Sequence, residues 1–309
     1  MKKFYIILSI IALAITLSYL LIPNEIKLEN STIVQANFNN INRQLLIKNN
    51  WINWFPENNN KFIIDEFEFS FSKTPNENVL VVNVNQDKNN FKAYYQLSQI
   101  AFDSILIQTT STTKSKSGWI NDKIKNYFFS KKLNKALNSF IGIFKKFAED
   151  KKSFYGLTAK LTKLPDSCMI AKKAICVNYP TTHQIYKEIE ALEQYAKANN
   201  ASAIKPPMLH VKQLQPLGYE FMVSLPVNKR LASKGDIVFK QMLPYGNYLE
   251  SDSIIGFTKK VDSLFLSFEN YKNDYNFTSP AIPFQSLITN RKLIKDSTKW
   301  VTKFYYPVF

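Results

Sequence analysis

The strongest constraint on the fold of this chain is that its C-terminal half is written twice. Leu164-Pro165 recurs as Leu243-Pro244, 79 residues on. Tyr219, followed seven residues later by Pro226-Val227, recurs as Trp300, followed by Pro307-Val308, 81 residues on. Between these landmarks each copy carries a helical stretch, residues 182–199 and 257–273, and then a proline-marked turn at Pro206-Pro207 and at Pro280. Each copy therefore reads as strand, strand, helix, strand, strand, and two such copies can close one cleft between their sheets.

The N-terminal half is written once. A short strand at 31–36 and a helix at 39–48 precede Trp51-Ile52-Asn53-Trp54-Phe55-Pro56. Residues 61–72 and 79–84 are strand-like, and Phe67, Phe69 and Phe71 alternate with Glu66, Glu68 and Ser70 at the period of a half-buried sheet. Strands at 93–102 and 105–114 follow, after which the period lengthens. Leu133, Leu137, Phe140, Ile141, Phe144 and Phe147 share one face of a helix predicted over 121–148, and Lys131, Lys132, Lys135, Lys145 and Lys146 occupy most of the rest. That basic side suits ordinary solvation, and a membrane surface is the alternative. Residues 149–155 are charged and lack apolar periodicity, which places a domain boundary there.

A chain of 309 residues suggests two compact units, and 14% aromatic residues with only 7 glycines point to packed sheets and helices. The net charge of +16 raises a nucleic-acid reading, but Arg43, Arg230 and Arg291 are the only arginines among 40 basic residues. Specific phosphate and base recognition favours the planar Arg fork over dispersed lysine, so no nucleic-acid partner is expected. Residues 4–22 carry no charge and just suffice to cross a hydrocarbon core as a helix, with Lys2 and Lys3 before them. This predicts a single-pass membrane protein with a cytoplasmic N-terminus and a body on the periplasmic face of the inner membrane. A cleaved signal peptide is the alternative, but cutting after Ala12-Leu13-Ala14 leaves the apolar run 15–22 at the new terminus. If 169–177 is one strand, Cys168 and Cys176 lie too far apart to bridge.

The order of strand, short helix with Trp-x-x-Trp-x-Pro, antiparallel strands and long terminal helix resembles the polyketide-cyclase-like START superfamily (SRPBCC) over residues 27–150. That resemblance implies a helix-grip fold, a sheet curled around a long helix, with an apolar cavity. The duplicated half, ending in Trp300-Val301-Thr302-Lys303-Phe304-Tyr305-Tyr306-Pro307-Val308, resembles the GyrI-like effector-binding domains of multidrug-sensing activators. Gly246 and Gly256 match glycines of that family. The expected architecture is thus α+β: an anchor at 1–26, a START-like domain at 27–150 and a GyrI-like domain at 151–309. No helix-turn-helix element is read in the sequence.

In the GyrI-like family a buried glutamate after the second helix attracts cationic aromatic ligands. Here Gln285 stands near that position, which implies a neutral ligand exchanging hydrogen bonds with an amide. Tyr179, Tyr219, Tyr248, Trp300 and Phe304 complete the candidate ligand-binding set, because aromatics offer flat apolar area with few rotors. Plain core packing is their alternative role. His183 and His210, the only histidines, are not spaced with the cysteines as metal ligands, so neither a metal nor a cofactor is expected. No Gly-x-Ser-x-Gly, Gly-rich phosphate loop or His-Glu-x-x-His occurs, and no catalytic residue is assigned. The sequence points to a small hydrophobic or aromatic ligand held by a membrane-anchored binding protein. A cyclase or hydrolase working in the START-like cavity is the alternative.

Overall fold

A computed structural model describes residues 16, 21–58, 61–87, 89–163, 168–214, 218–242, 246–256, 261–279 and 281–309. The chain divides into two compact units, Met1–Asp150 and Lys151–Phe309, both mixed α+β with antiparallel sheets.

In the first unit the described elements are β1 (Glu25–Val34), α1 (Phe38–Leu45), a 3-10 turn (Lys48–Asn53), β2 (Glu57–Asn58), β3 (Lys61–Ile64), β4 (Phe67–Asn76), β5 (Val79–Gln86), β6 (Asn89–Ala101), β7 (Ser104–Lys114) and α2 (Ile120–Glu149). Seven strands form one sheet in the order β1-β7-β6-β5-β4-β3-β2. The single run expected over 61–72 is two strands. Asp65 takes a left-handed φ of 51°, and the chain turns at Asp65-Glu66 so that Ile64 pairs with Phe67. Alternation decides which side of β4 is covered, and Phe67 and Phe69 are buried.

Along α2 the buried stripe is Lys123, Asn126, Ser130, Leu133, Leu137, Phe140 and Phe144, at helical spacing throughout. Its second half anchors the core. Trp51 and Trp54 each lie 5.3 Å from the Phe140 ring, and their indole N–H groups donate to the carbonyls of Leu45 (2.8 Å) and Gln44 (3.1 Å). The Trp-x-x-Trp segment thus ties the end of α1 to the long helix, with both buried donors satisfied.

The second unit opens with α3 (Lys151–Tyr155), where sequence periodicity indicated none. Two buried aromatics at its end explain it: Phe154 and Tyr155 are covered, and the Tyr155 hydroxyl donates to Asp274 at 2.8 Å. Then follow β8 (Ala159–Lys163), β9 (Cys168–Cys176), α4 (Thr182–Ala198), β10 (Met208–Gln213), β11 (Tyr219–Val227), β12 (Val238–Gln241), β13 (Asn247–Ser251), β14 (Ile254–Ile255), α5 (Val261–Asp274), β15 (Phe284–Leu287) and β16 (Val301–Val308). The main path runs β12-β9-β11-β10-β15-β16-β13-β8, with β14 beside β16.

That order is a palindrome of the repeat. The first copy is β8, β9, α4, β10 and β11, and the second is β12, β13, α5, β15 and β16, so each element has its counterpart at the mirrored place. The first strand of each copy pairs with the second strand of the other: β8 with β13, and β12 with β9. The seam is β10 against β15, where Met208 faces Ser286 and Leu209 faces Gln285.

Each helix covers one half of one sheet face. Ile185, Ile189 and Leu192 of α4 pack with Ile170, Leu209 and Val223, while Phe268 of α5 packs with Leu249, Phe304 and Tyr306. Cys168 and Cys176 stand at opposite ends of β9 as free, half-buried thiols. The repeat landmarks Leu164-Pro165, Leu243-Pro244 and Pro280, and residues 257–260 of the expected second helix, lie outside the described residues.

The expected membrane attachment is corrected. Among the described residues no helix is long and apolar enough to cross a membrane. Of the apolar run 4–22 itself, all but Thr16, Leu21 and Ile22 lies outside the described residues. Neither the transmembrane helix, nor the membrane as a partner, nor the single-pass localisation is upheld.

Candidate functional site

The helices leave the other face of the second unit's sheet open at the seam, and a cavity of about 220 Å³ occupies it. Strand alternation selects its walls. On β10 Met208 and His210 point to it while Leu209 joins the core beneath α4, and on β11 Met222 and Ser224 do so while Phe221 and Val223 face the helix. Met169 of β9, Lys240 and Gln241 of β12, Tyr248 of β13, Phe284 of β15 and Pro307 of β16 close it, together with Met242.

Met169, Met208, Met222 and Met242 are all the methionines of the chain beyond Met1, and all four line this cavity. Thioethers are polarizable and flexible, so such a wall adapts to apolar ligands of differing outline. Met208, Met242, Tyr248 and Phe284 form one buried cluster, with the rings of Tyr248 and Phe284 6.2 Å apart edge to face and Tyr305 stacked on Phe284 at 5.2 Å.

The polar groups are few. His210 Nδ1 is 2.8 Å from the carbonyl oxygen of Pro283, so it carries the proton and donates. Burial is the main influence on His210 and pushes its pKa down, which favours the neutral ring with Nε2 as an acceptor. Lys240 Nζ lies 3.5 Å from Met222 Sδ, and no carboxylate is within ion-pair distance of it among the described residues. No acidic side chain lines the cavity among the described residues.

Of the residues selected from sequence, Tyr248 lies in this wall and the other five do not. Gln285 is on the helix-covered face, between Leu209 and Phe304 in the sheet register, 2% exposed and with Nε2 unpartnered among the described residues. Phe304 is beneath α5, 5.1 Å from Phe265. Tyr179 and Tyr219 meet edge to face at 5.7 Å. Trp300 donates its indole N–H to the Ile294 carbonyl at 2.6 Å and lies under the Arg291 guanidinium. The methionines escaped sequence reasoning. Their confinement to residues 169–242 was the available signal, though no spacing rule shows four separated residues converging.

In the first unit, a cavity of about 280 Å³ near the start of α2 has a mixed wall, with Phe91 and Phe129 beside Lys114, Ser115, Lys125 and Asn126. Farther along α2 the space against the sheet is filled by Trp51, Phe55, Phe69, Tyr95 and Phe140.

The chain matches no protein-family model and no curated protein. Among solved structures it is similar to the EcmrR C-terminal domain, at 19% identity and a TM-score of 0.40 over 50% of this chain and 98% of that one. It is similar to SAV2435 bound to tetraphenylphosphonium at 14% identity and 0.32, over 49% and 94%. The di-domain ARO/CYC protein BexL aligns over 92% of this chain and 85% of its own at 7% identity and 0.33.

Proposed function

We propose that the second unit binds a small, mainly apolar molecule, aromatic or otherwise hydrophobic, in the methionine-walled cavity at the sheet seam. The observation that carries this reading is the convergence of Met169, Met208, Met222 and Met242 on one concave space with a small set of polar groups. An apolar body would lie against the thioethers and the rings of Tyr248 and Phe284. A ligand donor would meet His210 Nε2, and a ligand acceptor would meet Lys240. The absence of an acidic group from the described wall argues for neutral or acidic ligands over cations.

The test is titration of the chain with N-phenyl-1-naphthylamine, a neutral aromatic hydrophobe whose fluorescence rises on leaving water. Saturable binding is expected in the parent, and M222W, which fills the space, should weaken it at least about tenfold, or roughly 1.4 kcal/mol. Equal binding by parent and M222W would refute the assignment of the site.

A further inference from the structure

A second cavity of the second unit, about 280 Å³, lies beside the first turn of α4 and shares no wall residue with the first. Its defining member is Arg291, 92% buried by its 8% exposure and without a carboxylate within ion-pair distance among the described residues. A guanidinium stays charged inside a protein, and burying it without a counter-ion is costly.

The chain nonetheless holds this group firmly. The Arg291 backbone N–H donates to the Tyr186 hydroxyl at 2.7 Å, Nη2 donates to Thr302 Oγ1 at 2.8 Å, and the guanidinium sits 4.9 Å over the Trp300 ring. Nε has no partner among the described residues. In the repeat, Trp300 corresponds to Tyr219, whose ring meets that of Tyr179.

The wall around Arg291 is electropositive. Lys187 lines it without an ion pair among the described residues, while Lys292 is paired with Glu190. Arg291 and Lys187 therefore leave two uncompensated positive charges. Thr182 and His183, in the first turn of α4, bring the positive end of a seventeen-residue helix to the same wall.

We propose that this cavity binds inorganic phosphate or the phosphate of a small phosphomonoester, with Arg291 and Lys187 as its charged contacts. The two unmatched positive charges suit a dianion, and the Thr302 hydrogen bond and Trp300 stacking hold the Arg291 charge in place at the wall.

The test is isothermal titration of the full chain with inorganic phosphate at fixed ionic strength set by sodium chloride. One saturable site is expected. K187A should weaken it about fivefold, as for a partly exposed ion pair, and R291K should weaken it further, because lysine keeps the charge but loses the Thr302 hydrogen bond and the Trp300 stacking that hold it at the wall. K229A, on an exposed turn away from this wall, should bind like the parent. K187A needs no buried group to be replaced, so it carries the test even if R291K fails to fold. Absence of a saturable site, K187A binding like the parent, or equal loss in K187A and K229A would overturn the proposal.

Discussion

At the residue scale, His210 links the candidate site to the stability of the sheet that carries it. Its ring is half-buried, donates from Nδ1 to Pro283, and is held neutral because burial outweighs the carbonyl's support for the charged form. A histidine whose folded pKa lies below its unfolded value near 6.5 binds fewer protons in the native state within that window. Its contribution is therefore present above about pH 6.5 and lost as pH falls through the folded pKa. Urea midpoints measured from pH 7.5 to 5 should decline in the parent, and H210N should flatten that decline. An unchanged slope would show that His210 does not titrate with folding. Sequence reading met His210 only as a potential metal ligand, because the carbonyl that fixes its tautomer is 73 residues away.

At the scale of elements, α4 is attached to its sheet by more than its apolar stripe. Lys172 of β9 pairs with Glu188 of α4 at 2.7 Å and with Asp236 at 3.0 Å, in a site where Lys172 and Glu188 side chains are only 20% and 13% exposed. The hydrogen bond to Glu188 is the largest cause holding the Lys172 pKa up, so the ammonium persists throughout the neutral range. K172M should destabilise the unit by about 1–3 kcal/mol, since it leaves a largely buried carboxylate without its donor. Chemical denaturation of K172M beside E188Q/K172M checks this, and the double variant should recover part of the loss. Helix periodicity was legible in 182–199, and Thr181 with Gln184 forms the capping box that starts α4. The ion pair was not legible, because strand and helix each show only that one side is covered.

For the whole molecule, two compact units with separate cores should unfold in two calorimetric transitions. Trp51 is fully buried against Phe140, so W51A should lower only the first unit's transition, by about 3–5 kcal/mol. A hydrophobe that saturates the methionine-walled cavity should raise only the other. A single transition shifted by both treatments would show that the units unfold together. The sequence by itself determined the local periods: the alternation of β4, the stripe of α2, and the duplication that makes the second sheet palindromic. These follow from backbone geometry, which repeats every two or 3.6 residues whatever lies beyond it. Only the tertiary structure decided that β8 and β12 cross to the opposite copy, that four scattered methionines share one wall, and that Gln285 faces the helices while Phe284 faces the cavity. Parity separates the two faces of a strand, but which face a helix covers and which stays open is settled by contacts far apart in the chain.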